Sequence, residues 1–277
     1  MFRKGIPVIL YDEVYFKLER IRWNMETDVP WDQIDRSLIT REELEHVRLN
    51  ALTELSALYA EEMFIRDFYH DTDFCQFMSV WYFEEMKHFL VLKEYLKRFD
   101  MAPTEEEMSK LRITFEPADW RDTLAMHFVG EQRLGMWYTA WGHAMREPVL
   151  KKIYSLLAAD EFRHANVYFR YMMRAVQKDP ANLKRFLTIG LFMLKNPQRD
   201  KHPTSLRVNG SSAPSVIDKL DDPQYVRKAI ERWVSDEDER KMDQRVMTLF
   251  SKLANRVLKS PRDLIAAIRS LETPIEV

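Results

Sequence analysis

Two stretches of this chain repeat one constellation. Glu54 stands 31 residues ahead of Glu85-Met86-Lys87-His88, and Glu131 stands 30 residues ahead of Glu161-Phe162-Arg163-His164. Positions three apart on a helix differ by about 60° around its axis, so the Glu and His of each pair share a face. If the helices on either side of a turn near residue 71 pack antiparallel, Glu54 lies 17 residues before it, and Glu85 and His88 lie 14 and 17 after it. Around Pro148 the same counts for Glu131, Glu161 and His164 are 17, 13 and 16. Each hairpin brings three side chains to one level. Two such hairpins facing each other predict a four-helix bundle with four carboxylates and two imidazoles at its centre.

The rest of the sequence agrees with an all-α chain. Its 277 residues contain only six Gly, whereas Leu, Met, Glu, Lys, Arg and Ala, the good helix formers, abound. Helical tracts are expected over 41–69, 74–99, 118–146, 148–178 and 181–195, with Pro148 suited to a first helical turn because its missing N–H would be unpaired there. A short N-terminal segment ends near Pro30. Three further tracts are expected over 223–235, 238–259 and 261–271. The organisation expected is a single domain over 1–277, with a bundle core at about 41–178. A C-terminal helical extension follows at about 181–277, with a long loop over 196–223 carrying four Pro. The net charge of −2 predicts no general affinity for nucleic acid. A single cysteine, Cys75, excludes an internal disulfide and a Cys-built zinc or iron-sulfur site. The N-terminal apolar run is too short for a signal peptide, and no apolar stretch approaches the ~20 residues of a membrane span, so a cytoplasmic location is expected.

Four carboxylates in a helical core need cations, because isolated buried anions are prohibitively costly. Two divalent ions balance them, with neutral imidazoles completing the coordination. Oxygen and nitrogen donors without thiolate suit iron, or manganese, and carboxylates that bridge or shift allow metals roughly 3.5 to 4 Å apart to change valence and admit dioxygen. The metal ligands expected are Glu54, Glu85, His88, Glu131, Glu161 and His164. A third Glu-x-x-His pair, Glu43 and His46, reads differently. It sits in a charged stretch, TREELEHVR, where Thr40 and Glu43 match a helix capping box, and it is expected to mark a solvated helix start.

The fragments WYFEEMKH, FVGEQR and LAADEFRH resemble the soluble acyl-carrier-protein desaturases of the ferritin-like superfamily. Trp81 stands four residues before the first Glu-x-x-His glutamate, Glu84 is the adjacent second Glu, and Ala158 to His164 match an A-A-D-E-x-R-H block. RWNMETDVP is similar to the family's Trp segment leading to a Pro. The likeness covers about residues 20–180 and is specific at the ligands. It implies a ferritin-like four-helix bundle with additional N- and C-terminal helices, forming a homodimer. The six ligands would hold two iron ions, and Asp160 would hydrogen-bond His88 and link it to Trp23, a second layer that fixes the imidazole and tunes the metal. Three departures stand out: Leu134 replaces the Thr that plant desaturases carry three residues after the third-helix Glu; Leu92 occupies the radical-Tyr position of reductase small subunits; Leu157 replaces the extra His of N-oxygenating relatives.

The resemblance implies an oxygen-activating oxidoreductase that abstracts hydrogen from an apolar substrate, most simply a fatty acyl chain on an acyl carrier protein, with electrons from a donor such as a ferredoxin. The alternatives are hydroxylation of another substrate, or a ferroxidase or peroxidase role in iron handling. Cavity candidates are Leu134, Met136, Trp137 and Trp81, and Lys151, Lys152, Arg170 and Arg174 are candidates to receive an acidic carrier.

Overall fold

The computed structural model describes residues 9–111, 115–195 and 232–271. Its helices are α1 (Leu10–Ile21), α2 (Arg41–Leu55), α3 (Ala57–Asp67), α4 (Thr72–Lys97), α5 (Glu105–Lys110), α6 (Trp120–Ala144), α7 (Pro148–Lys178), α8 (Asn182–Lys195), α9 (Asp236–Leu253) and α10 (Pro261–Ser270), with two short 3-10 turns before α2. The fold is all-α. The loop expected over 196–223, and most of the helix expected over 223–235, lie outside the described residues.

Local chemistry sets the helix boundaries. Thr40 begins α2 with a capping box in which its side chain accepts from the Glu43 N–H while Glu43 reaches back to the Thr40 N–H. The Asp71 carboxylate accepts from the Phe74 N–H and opens α4. Glu147, fully buried, accepts from the N–H groups of Val149 and Leu150, and Pro148 takes the first helical position of α7. Two expected tracts are shorter than the sequence suggested. The helix expected over 41–69 is two, because at Ser56 the chain tightens into a 3-10 step, Ser56 N–H to Thr53 C=O at 2.9 Å, immediately after Glu54. The helix expected to run to 259 stops at Leu253, where Asn255 takes a left-handed backbone (φ 48°) and the Arg256 N–H returns to Ser251 C=O.

The bundle is α2–α3 on α4, α6 on α7, and α4 on α7, with α8 and α9 laid along α6 and α7 and α1 against α4. Its apolar core is divided. One cluster holds Phe64, Phe74, Phe77, Trp81, Phe128, Tyr168, Phe186 and Phe250; the other holds Val47, Leu92, Tyr95, Tyr138, Trp141, Leu150 and Tyr154. On α4 the first cluster ends at Trp81 and the second begins at Val91; on α6 the break falls between Val129 and Leu134, and on α7 between Ala158 and Ala165. The breaks on α4 and α7 carry acidic and imidazole residues, and the break on α6 carries Glu131. The polar layer therefore crosses the bundle between two dry clusters.

Helix α8 approaches α9 through Gly190, where an added Cβ would run into the Phe250 ring, itself wholly buried. Gly190→Ala should overpack this contact and lower stability by about 1 to 3 kcal/mol. Urea denaturation should show the midpoint falling, while Ala substituted at the half-exposed Ile189 should cost less.

Candidate metal centre

Each of the four bundle helices delivers its polar residues from the gap in the core: Glu54 from α2, Glu85 and His88 from α4, Glu131 from α6, Glu161 and His164 from α7. Two groups of potential ligand atoms form, each within 4.8 Å: Glu54, Glu85, His88 and Glu161, and Glu85, Glu131, Glu161 and His164. Glu85 and Glu161 belong to both. A two-ion site would use them as the shared carboxylates, with Glu54 and Glu131 at opposite ends and one imidazole on each side.

Both imidazoles face the cluster with the same nitrogen. His88 Nδ1 lies 3.4 Å from Glu161, 3.5 Å from Glu54 and 3.7 Å from Glu85. His164 Nδ1 lies 3.1 Å from Glu85, 3.5 Å from Glu131 and 3.6 Å from Glu161. The opposite nitrogens are engaged elsewhere: His88 Nε2 meets Asp160 Oδ2 at 3.0 Å, and His164 Nε2 meets Glu84 Oε2 at 2.9 Å. Donation from Nε2 to these carboxylates leaves Nδ1 as the lone-pair nitrogen pointing at the site.

The outer supports cross between the hairpins. Asp160 immediately precedes Glu161 yet holds the imidazole of the other hairpin, and Glu84 immediately precedes Glu85 and does the same in return. Trp23 donates its indole N–H to Asp160 at 2.6 Å, Lys87 sits 4.1 Å over the Trp23 ring, and Arg163 pairs with Asp160. The two terminal carboxylates each receive one ring donor from another helix. Trp81 Nε1 donates to Glu131 at 3.1 Å, and the Tyr138 hydroxyl donates to Glu54.

The inner face presents donor atoms without partners. Glu85 Oε1, Glu131 Oε2, both oxygens of Glu161 and the Nδ1 atoms of His88 and His164 are buried without a hydrogen-bond partner. Such atoms cost about 1 to 3 kcal/mol each when left unsatisfied, more when charged. Titration tells the same story. Burial, with the charges of Glu85 and Glu131 behind it, pushes Glu161 well above the usual carboxylate range. Burial raises Glu54 to about 8, with His88 opposing it. Burial alone would lower both imidazoles, but the surrounding carboxylates hold His88 and His164 well above their ordinary value. Burial would raise Glu85 and Glu131 too, but the imidazoles, with Glu161 beside Glu131, hold both below the usual carboxylate range, so the four acids do not share one state. Converging orphan oxygens and imidazole nitrogens, with no thiolate among them, match two divalent ions of the iron or manganese kind. Cys75 bonds instead to the Phe68 carbonyl.

The other expected residues are placed as follows. Trp81 positions Glu131 and packs on Phe64. Leu134 and Trp137 are core residues of the second cluster, and Met136 is half-buried. A groove of about 370 Å³ lies between α6 and α7, lined by Tyr138, Gly142, Lys151, Ala158, Ala159 and Phe162 among others, and Tyr138 is the residue it shares with the site. Arg170 pairs with Glu13 and Arg174 with Asp71 and Asp73, while Lys151 and Lys152 are exposed. The third Glu-x-x-His pair forms its capping box but is not solvated. Glu43 and His46 are buried, and Trp141 and Trp233 close over the His46 ring at 4.5 and 4.6 Å. Burial without a counter-charge drives this imidazole down to about 3. It stays outside both ligand groups.

Sequence reasoning missed Tyr138 as a partner of Glu54 and gave Glu84 no role. A signal for Glu84 was present: each of the two Glu-x-x-His pairs of the ligand set is directly preceded by an acid, Glu84 and Asp160, and carries a base before its His, Lys87 and Arg163. Nothing in spacing alone announces a hydroxyl from α6 reaching Glu54. Comparison with family models and with curated proteins finds no match. No described helix is long and apolar enough to cross a membrane.

Iron-reconstituted protein should hold two ions per chain, and Glu161→Ala, which removes a shared carboxylate, should drop the content below one. The double variant Glu43→Ala, His46→Ala should keep its metal. It should lose about 0.5 to 2 kcal/mol from the cap and more from the cavity beneath the two Trp rings. Metal analysis beside thermal denaturation separates the two effects.

Proposed function

We propose that this protein is an oxygen-activating di-metal oxidoreductase, most simply a di-iron enzyme of the ferritin-like kind, acting on an apolar substrate such as a fatty acyl chain. The observation that carries the reading is the double cluster of six buried donors whose free atoms face one another across a dry bundle. When bound, a pair of iron ions supplies one-electron redox steps and a Lewis-acidic place for dioxygen.

The chain's own residues account for the rest. Glu54, Glu85, Glu131 and Glu161 would neutralise the ions, with Glu85 and Glu161, which belong to both ligand groups, available to each. Asp160 and Glu84 hold His88 and His164 in the tautomer that presents Nδ1, and link that tautomer to Trp23 on one side and to Arg163 on the other. The Trp23–Asp160–His88 line is a path by which electrons from an external donor, ferredoxin-like in chemistry, reach the site. Phe64, Trp81 and Tyr168 on one side and Leu92, Leu134 and Leu157 on the other exclude water, which keeps an oxidant from being quenched before it meets a C–H bond. An aliphatic chain entering such surroundings gains about 0.8 kcal/mol per buried CH₂. Exposed Lys151 at the rim of the α6–α7 groove suits an anionic head or an acidic carrier.

Reduced protein mixed with oxygen should react slowly or wastefully alone, and an acyl thioester or acyl carrier protein should alter the rate and yield an unsaturated or hydroxylated product. Leu134→Trp should suppress that product more than iron content. Many equivalents of ferrous iron oxidised per chain, with no product from a broad acyl panel, would assign the site to iron handling instead.

A further inference from the structure

The two sides of the polar layer differ in the rings they offer. Towards the first core cluster, Trp81 and Tyr168 contact Phe64, Phe74, Phe77 and His127, and the next oxidisable ring beyond Phe74 and Phe77 is Tyr171, which is buried, so that series ends inside the core. Towards the second cluster a tyrosine and a tryptophan adjoin directly, and one imidazole separates them from a second tryptophan nearer the surface. Tyr138, hydrogen-bonded to Glu54, has its ring 5.4 Å from Trp141; His46 lies 4.5 Å from Trp141 and 4.6 Å from Trp233 on its other face. Trp233 is half-buried and lies under the exposed Arg232 guanidinium, so the series runs from a ligand of the site to the protein surface. Electron transfer falls off exponentially with distance, and here adjoining rings are in contact.

We propose that Tyr138, Trp141 and Trp233 form a one-electron relay that drains oxidising equivalents from the metal pair to the surface when no organic substrate is in place. It rests on the oxygen-activating reading of the site. Dioxygen needs four electrons to become water, and a ferrous pair, when bound, would supply two of them. A substrate C–H bond normally supplies the other two; without one, the relay supplies them in single steps. Tyr138 yields an electron to the site as its O–H bond opens and the proton passes along the hydrogen bond to Glu54. Trp141 then reduces the tyrosyl radical, and the proton returns to the phenol. The indole Nε1 of Trp141 has no hydrogen-bond partner, so its oxidised ring keeps its proton and remains a radical cation ready to accept an electron. Trp233 fills it across His46, and an external one-electron reductant refills Trp233. Two passes per dioxygen, with four protons taken from solvent, balance the reduction to two waters. Trp23 lies on the opposite path, through Asp160, and is not part of this series.

The test uses the full chain in two arms. In the first, iron-loaded protein receives oxygen without organic substrate, with ferrocyanide outside as the reductant. Wild type should oxidise two ferrocyanides per dioxygen and release little hydrogen peroxide. Trp141→Phe, and Trp233→Phe at the half-exposed end where folding is least at risk, should lose the ferrocyanide oxidation. Released peroxide, or oxidised residues beside the site seen by mass spectrometry, should take its place. Unchanged ferrocyanide oxidation in both variants overturns the relay. In the second arm, metal-free protein is oxidised from outside by photogenerated ruthenium(III) tris-bipyridine. A transient tyrosyl absorbance, assigned to Tyr138 by its loss in Tyr138→Phe, should also vanish in Trp141→Phe and Trp233→Phe. Its persistence in those two variants, or its absence in wild type, overturns the wiring. If iron fails to bind or to react with oxygen, the functional reading falls and the second arm still decides the relay.

Discussion

The burial of four carboxylates in one layer is the constraint from which the rest of this structure follows. Glu54, Glu85, Glu131 and Glu161 are each at most 5 % exposed, with no lysine or arginine among the residues that face them inside the cluster. Charges so placed are tolerated only with cations or protons between them. The chain accordingly interrupts an otherwise continuous apolar core at the same level on each of four helices and closes the gap above and below with aromatic rings. A bundle that sought stability alone would carry leucine at these positions, since well-packed apolar residues are often as stable as buried ions or more so.

The supports around the layer explain its geometry. Each hairpin contributes the acid that orients the other hairpin's imidazole, Asp160 to His88 and Glu84 to His164, so neither half of the site is complete until α4 meets α7. The bases that neutralise these outer acids, Lys87, Arg163 and Arg22, lie around them within 3.9 Å, outside the ligand layer. The lysine and arginine charges stay on the periphery, and orphan carboxylate oxygens and imidazole nitrogens face inward. In a buried salt-bridge network built for stability, lysine or arginine would meet the acids at the centre; here only imidazoles do.

The surroundings are also unequal. A tryptophan reaches the layer through Asp160 on one side, a tyrosine reaches it through Glu54 on another, and a groove between α6 and α7 ends at that tyrosine. A site that only stores metal needs an entry path and ligands; redox-active rings leading away from it in two directions suit one that handles electrons singly.

Much of this was legible in the sequence. The repeated Glu and Glu-x-x-His spacing, the scarcity of glycine and the punctuation at Thr40, Pro148 and Pro261 determined the helices, their pairing and the six residues that meet, because 3.6-residue periodicity and turn position place side chains at a level without any knowledge of the fold. The break after Glu54 was not legible, since a single 3-10 step at Ser56 leaves no compositional mark. Nor was the fate of Glu43 and His46, read as solvated from their charged neighbours. Trp141 and Trp233, distant in sequence, close over the His46 ring, and only the tertiary approach of α6 and of the segment before α9 to α2 decides that. The same holds for Tyr138 on Glu54, Trp81 on Glu131 and the exchange of Asp160 and Glu84 between hairpins. A helix face is a local property that the sequence states directly; which side chain of another helix meets it depends on interhelical angle and register, and those exist only once the core has closed.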